Sequence, residues 1–187
     1  MSKLVLISIS GRDEPGITAA VTQLLGQQDL DILDIGQSVI HDHLSLGILV
    51  NIEADAVAFK SSICRMLSDF MLEVSFTSVS KQSYEAWVGL QGSSRYLLTL
   101  MARRIKAEHI GEVLAIVTAH GLNIDNITRL SGRVPIYPTD TQTKACVEFS
   151  LRGAPSDSFR QRLLILCSEL DIDVAVQEDD FYRRSRR

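Results

Sequence analysis

The sequence predicts an α+β fold built from two copies of one βαββαβ unit. The chain of 187 residues is longer than the about 100–150 residues of a common domain, and its two halves resemble each other. The stretch beginning at Val21 aligns with the stretch at Val113, at an offset of 92 residues, and Phe59 aligns with Phe159, at an offset of 100. A Pro-rich connection over residues 132–143 accounts for the larger offset, because loops accept insertions that packed elements do not.

Hydrophobic periodicity gives the order of the elements within each copy. Alternation with period two predicts a strand, and apolar residues three or four positions apart predict a helix. The first copy is predicted to contain, in order, strand 3–10, helix 15–28, strand 30–41, strand 46–53, helix 56–70 and strand 72–80. The second is predicted to contain strand 95–102, helix 106–120, strand 122–131, strand 145–152, helix 156–170 and strand 172–177.

Each copy is therefore expected to form a ferredoxin-like domain, in which two helices cover one face of an antiparallel four-stranded sheet. The expected domains are 1–81 and 95–180, joined by a linker at 82–94 and followed by a basic tail at 181–187. The linker lacks sustained periodicity, and its Trp87, the only tryptophan of the chain, is expected to hold it against a domain. The first strand is apolar on both faces, which predicts that the other repeat or a second chain covers the face without helices and favours a homodimer.

Composition excludes several functional classes. The net charge is −4 without a basic stripe, and the central strands carry few aromatic residues, so nucleic-acid binding is not expected. No apolar run reaches the about 18 residues of a membrane span, and the first residues do not form a signal peptide, so a cytoplasmic location is expected.

The cysteines and histidines do not predict a disulfide framework or a metal site. The three cysteines show no CxxC spacing, and Cys64 and Cys167 are interpreted as small buried hydrophobic residues on amphipathic helices. His41 and His43 are interpreted as loop residues, since zinc takes three or four protein ligands.

The stretch GRDEPGI, residues 11–17, interrupts the junction between the first strand and the first helix. The start of a helix offers free backbone N–H groups and the positive end of the helix dipole, which suit a carboxylate. Gly16 lets a ligand approach the backbone, and Pro15 fits a first helical turn. If the N–H groups of Gly16 and Ile17 bind a carboxylate and Asp13 meets an ammonium, the junction suits a free α-amino acid.

Helix capping alone is the alternative explanation, because Asp and Pro are common at helix starts. The second copy keeps the strand and the helix but has different residues at the positions of Asp13, Pro15 and Gly16. A glycine within the first turn of a helix costs up to about 1 kcal/mol relative to alanine. The difference between the copies therefore favours a ligand site.

These residues resemble a known family. GRDEPGI, the helix after it and DLDILDI resemble the first half of an ACT domain, the small-molecule-binding module of amino-acid enzymes. The second copy, with VEFSLRG and DIDVAVQEDDFYRRSRR, resembles the tandem-ACT amino-terminal half of bacterial phosphoserine phosphatases. The resemblance implies a homodimeric regulatory module for an amino acid, L-serine first and glycine second. The ligand hydroxyl would reach Thr18, and Asn123 of the second copy or of a partner chain would complete the pocket.

The resemblance also implies a separate catalytic domain of the haloacid-dehalogenase class, with Mg²⁺ beside a D-x-D-x-T/V motif. The paired aspartates of DLDIL and DIDVA do not form that motif, because Leu33 and Ala175 stand where Thr or Val is required. No catalytic residue, metal ligand or cofactor is therefore assigned to this chain. The alternative is a freestanding two-ACT regulator similar to the glycine cleavage system repressor, which would act through protein partners.

Overall fold

The computed structural model describes residues 3–52, 56–91, 93–131 and 145–179, and the chain divides into two units, Met1–Leu90 and Gln91–Arg187. The Pro-rich connection and the basic tail predicted from the sequence lie outside the described residues. No helix in the described part of the chain is long and apolar enough to cross a membrane.

The first unit contains the predicted βαββαβ pattern and one further helix. Its elements are β1 (Lys3–Arg12), α1 (Ile17–Gln27), β2 (Ile32–Ile40), β3 (His43–Ile52), α2 (Ala56–Leu67) with a 3₁₀ turn (Ser68–Phe70), β4 (Glu73–Val79) and α3 (Lys81–Gln91). The strands lie in the order β2-β3-β1-β4, and neighbouring strands are antiparallel.

The second unit repeats this arrangement. Its elements are β5 (Arg95–Ala102), α4 (Ala107–Ala119), β6 (Asn123–Ser131), β7 (Ala145–Arg152), α5 (Asp157–Glu169) and β8 (Asp173–Glu178). The strand order β6-β7-β5-β8 matches that of the first sheet element by element. The predicted pair of ferredoxin-like units is confirmed.

The core of the first unit follows from the alternation of β1. The side chains of Val5, Ile7 and Ile9 face α1 and α2 and are buried, and in the antiparallel register they lie opposite equally buried side chains of β3. Helix α1 adds three residues at the helical spacing of four. These buried side chains are Val5, Ile7 and Ile9 of β1, Leu46, Ile48 and Val50 of β3, and Ile17, Val21 and Leu25 of α1.

Three helices end in the same way. Asp29, Gly121 and Asp171 follow α1, α4 and α5 in the left-handed conformation, with φ of 55°, 68° and 54°. After α1, the N–H of Leu30 donates to the carbonyl of Leu25 at 3.1 Å, and the other two helices make the equivalent bond. The leading aspartates of DLDIL and DIDVA are therefore helix-ending residues, for which Asp is among the few tolerated side chains.

Helix α3 occupies most of the segment predicted as a linker, 82–94, although the sequence shows no sustained periodicity there. The helix begins after Ser80, whose hydroxyl accepts a hydrogen bond from the N–H of Ser83 at 3.1 Å. Tyr84 and Trp87 of α3 line one cavity together with Leu6 of β1, on the sheet face opposite α1 and α2. The first unit therefore covers part of this face with its own helix.

Cys167 is fully buried as predicted, whereas the prediction that Cys64 is buried was wrong. The buried stripe of α2 runs through Phe59, Ile63 and Leu67, which are four residues apart. Cys64 follows Ile63 directly and is rotated by about 100° around the helix, which places it in solvent.

Candidate ligand site

The candidate site is the loop that joins β1 to α1. Residues 12–16 are exposed, and α1 begins at Ile17, two residues later than predicted. Pro15 therefore lies in a turn ahead of the helix and not in its first turn, which corrects the sequence prediction. The N–H of Asp13 donates to the carbonyl of Asp42 at 2.7 Å, so the loop is tied to the turn between β2 and β3.

Gly16 is the N-cap of α1 and has φ 98° and ψ −13°. This left-handed backbone requires glycine, so the cost of a glycine inside the helix, which the sequence argument used in favour of a ligand, does not apply. A Cβ at Gly16 would have no atom within 4 Å. The space in front of the helix is therefore open to a ligand.

The start of α1 lacks the groups that normally complement a helix N-terminus. It has no side-chain cap and no acidic residue in its first turn, and the N–H groups of Gly16 and Ile17 donate to no described residue. By contrast, α4 carries Glu108 in its first turn, and Ser156 caps α5. The positive end of the α1 dipole is therefore available to an external anion.

Ile17 and Thr18 have different roles at this end of the helix. The side chain of Ile17 is buried in the core, so only its backbone faces the candidate site. The Thr18 hydroxyl donates to Oε1 of Gln37 on β2 at 2.6 Å. Sequence reasoning missed Gln37, although a polar residue between Ile35 and Val39 on the helix-facing side of β2 is a usable signal.

The turn between β2 and β3 places further charges beside the loop. His41 Nδ1 lies 2.6 Å from Oδ1 of Asp42, and this hydrogen bond lowers the pKa of Asp42 below its ordinary value. The Asp13 carboxylate forms neither a hydrogen bond nor an ion pair with any described residue. The Asp13 carboxylate is thus free to pair with an incoming ammonium. Within the described ranges, no three His, Cys, Asp or Glu side chains are grouped as a metal site would require.

Asn123, the remaining predicted site residue, lies in the second unit at the start of β6. Its amide Nδ2 donates to Oδ1 of Asp125 at 3.2 Å. Asp125 in turn pairs with Arg152 at 2.9 Å and with Arg95 at 3.6 Å. The immediate surroundings of Asn123 are therefore an ion-paired cluster, which the sequence analysis did not predict.

The first unit matches a known domain model. Residues 3–77 match the ACT domain, which confirms the resemblance inferred from GRDEPGI. The chain is 28% identical over 188 residues to a phosphoserine phosphatase of Streptomyces coelicolor, and 28% identical over 187 residues to a phosphoserine phosphatase of Mycobacterium tuberculosis. Each alignment covers 98% of this chain and 42% of the relative, so the chain spans less than half the length of these curated relatives.

Two solved structures share the fold over nearly the whole chain. An unknown protein from Galdieria sulphuraria superposes with a TM-score of 0.75 at 16% identity, covering 96% of this chain and 99% of the other. A putative glycine cleavage system transcriptional repressor superposes with a TM-score of 0.66 at 13% identity, covering 96% and 98%. At these identities the likeness shows a shared fold.

Proposed function

We propose that this chain, whose first unit is an ACT domain, is a regulatory module that binds a free amino acid, with L-serine as the first candidate, and controls a phosphoserine phosphatase. The observation that supports binding is the uncapped start of α1, together with the unpaired carboxylate of Asp13 in the loop that leads into it. The two phosphoserine phosphatase relatives support the choice of serine, the product of the reaction that their names describe.

In the proposed complex, the ligand is bound through both of its charges. Its carboxylate accepts hydrogen bonds from the N–H groups of Gly16 and Ile17, and its ammonium pairs with Asp13. The serine hydroxyl donates to Oγ1 of Thr18, whose own proton is engaged with Gln37. Glycine lacks this hydroxyl and should bind several-fold more weakly, since one hydrogen bond contributes about 1 kcal/mol.

The same contacts explain how binding could regulate. The ligand would join the loop, which is tied to the β2–β3 turn through Asp13 and Asp42, to helix α1, which is anchored in the core by Ile17. A ligand that prefers one arrangement of these elements shifts the population towards that arrangement. A phosphatase domain that responds to the arrangement is thereby coupled to the ligand.

Binding is tested by calorimetric titration of the chain with L-serine and glycine. We expect saturable binding of L-serine that Asp13→Asn weakens about tenfold, because a hydrogen bond to a charged group is lost. Glu14→Gln removes the neighbouring exposed carboxylate and should leave the affinity unchanged. The absence of heat at millimolar serine, or an equal loss in both variants, would contradict the proposal and favour a regulator that acts through protein partners.

The link to the phosphatase is tested with a chimera. This chain replaces the aligned 42% of the Streptomyces coelicolor relative, and phosphoserine hydrolysis is measured with and without L-serine. A serine-dependent rate that Asp13→Asn abolishes supports the proposal. A rate that does not respond to serine, from a chimera that hydrolyses phosphoserine, counts against regulation by this module.

A further inference from the structure

A cavity of about 240 Å³ lies between α3 and the sheet face of the first unit that α1 and α2 do not cover. Its floor consists of Leu6, Leu49 and Val79 from three strands, and Tyr84 and Trp87 of α3 form its other wall. The rings of Tyr84 and Trp87 are 5.7 Å apart and tilted by 35°. The volume is below the about 300–1,000 Å³ of sites for drug-sized ligands, so the cavity fits a small molecule with an apolar body.

The polar part of the cavity is negative. Of its described lining residues, Asp34 alone carries a charge, and its exposed position on β2 places the carboxylate at the rim. Oδ1 of Asp34 accepts a hydrogen bond from the N–H of Ile35 at 3.0 Å, and the carboxylate forms no ion pair with a described cation. Lys81 at the start of α3 is paired with Glu85 at 3.7 Å.

The same sheet face offers a further hydrogen-bond acceptor. Asn51 lies two residues beyond Leu49 on β3, and alternation places both side chains on this face. Its Oδ1 is buried and accepts no hydrogen bond within the described part of the chain. This face of the first sheet therefore offers an unused acceptor near the cavity, and no cation is among the cavity's described lining residues.

We propose that this cavity binds a small primary amine with an apolar or aromatic body. The ammonium lies at the Asp34 carboxylate, and the apolar body lies between Trp87 and the leucines of the floor. The aromatic rings of the cavity also favour a ligand that carries a positive charge. A free amino acid is expected to bind more weakly than the amine, because its carboxylate would approach Asp34 without a cation in the cavity lining to balance it. The ligand class thus differs from that of the α1 site.

Trp87 provides a direct measurement, because it is the only tryptophan of the chain. The full chain is titrated with 2-phenylethylamine, with 2-phenylethanol, which lacks the charge, and with L-phenylalanine, which adds a carboxylate. We expect a saturable change in tryptophan emission with the amine. Binding of the alcohol and of the amino acid should be about two- to fivefold weaker, the range for a solvent-exposed ion pair.

Two pairs of variants locate the binding. Asp34→Asn keeps the oxygen that accepts a hydrogen bond from the N–H of Ile35, and it should abolish the preference for the amine over the alcohol. Asp31→Asn changes a neighbouring exposed carboxylate and should leave that preference intact. Ser83→Phe fills the cavity and should abolish binding, whereas Gln82→Phe on the same helix should not. The absence of a saturable emission change, equal affinity for amine and alcohol, or normal binding by Ser83→Phe would overturn the proposal. The amine site uses none of the α1-loop residues, so its failure is distinguishable from failure of serine binding.

Discussion

The left-handed backbone of Gly16 predicts that Gly16→Ala destabilises the first unit. At φ 98° an alanine is strained, and such a conformation costs a non-glycine residue about 1–3 kcal/mol. The added methyl group would meet no atom within 4 Å, so no collision adds to the backbone strain. We therefore expect a loss of about 1–2 kcal/mol in the free energy of unfolding.

Gly26 in the same helix provides the matched control. It lies inside α1, and a Cβ there also meets no atom within 4 Å. Gly26→Ala should therefore stabilise the unit by about 0.5–1 kcal/mol, through helix propensity alone. The same chemical change is thus expected to have opposite signs at two positions of one helix.

The assay is urea unfolding followed by the fluorescence of Trp87, which lies in the first unit and reports on it selectively. A neutral or stabilising effect of Gly16→Ala would refute the left-handed N-cap and with it the described geometry of the loop. Substitutions at Gly16 combine strain with any loss of binding. Asp13→Asn is therefore the better test of the ligand site.

Two further predictions concern the packing of the chain. A thiol reagent at pH 8 should label Cys64 in the folded protein and Cys167 only after unfolding. The reason is that the thiolate is the reactive form and that burial raises the pKa of Cys167 to about 11. Rapid labelling of Cys167 in the folded protein, detected by mass spectrometry, would contradict the packing. Asp125→Ala leaves the partly buried guanidinium groups of Arg95 and Arg152 without their shared carboxylate. The free energy of unfolding, measured by denaturation followed by circular dichroism, should fall by about 2 kcal/mol. A loss below about 0.5 kcal/mol, the scatter of ordinary surface substitutions, would show that the cluster does not stabilise the fold.

The order of the elements could be predicted because each buried element carries a strong period. On β3 the alternation of Leu46, Ile48 and Val50 predicts a strand, and the repeat extends the order of elements to the second unit. Helix α3 was missed because its visible signal is two aromatic residues, Tyr84 and Trp87, three positions apart. A short helix that covers a sheet through two large side chains produces too few apolar positions to distinguish it from a loop.

The candidate site was harder to predict, because its main features are backbone conformation and missing partners. The sequence singles out Gly16 through the cost of a glycine inside a helix, and that cost does not apply, since Gly16 lies ahead of α1 as its N-cap. What supports a ligand is that α1 has no acidic residue in its first turn to complement the positive end of its dipole. Helix α4 has Glu108 at this position, and a hydrogen bond from Lys106 lowers the pKa of Glu108. The sequence shows which residue types stand at a helix start, whereas only the structure shows which of its N–H groups have no acceptor. The proposed ligand carboxylate would supply to α1 what Glu108 supplies to α4.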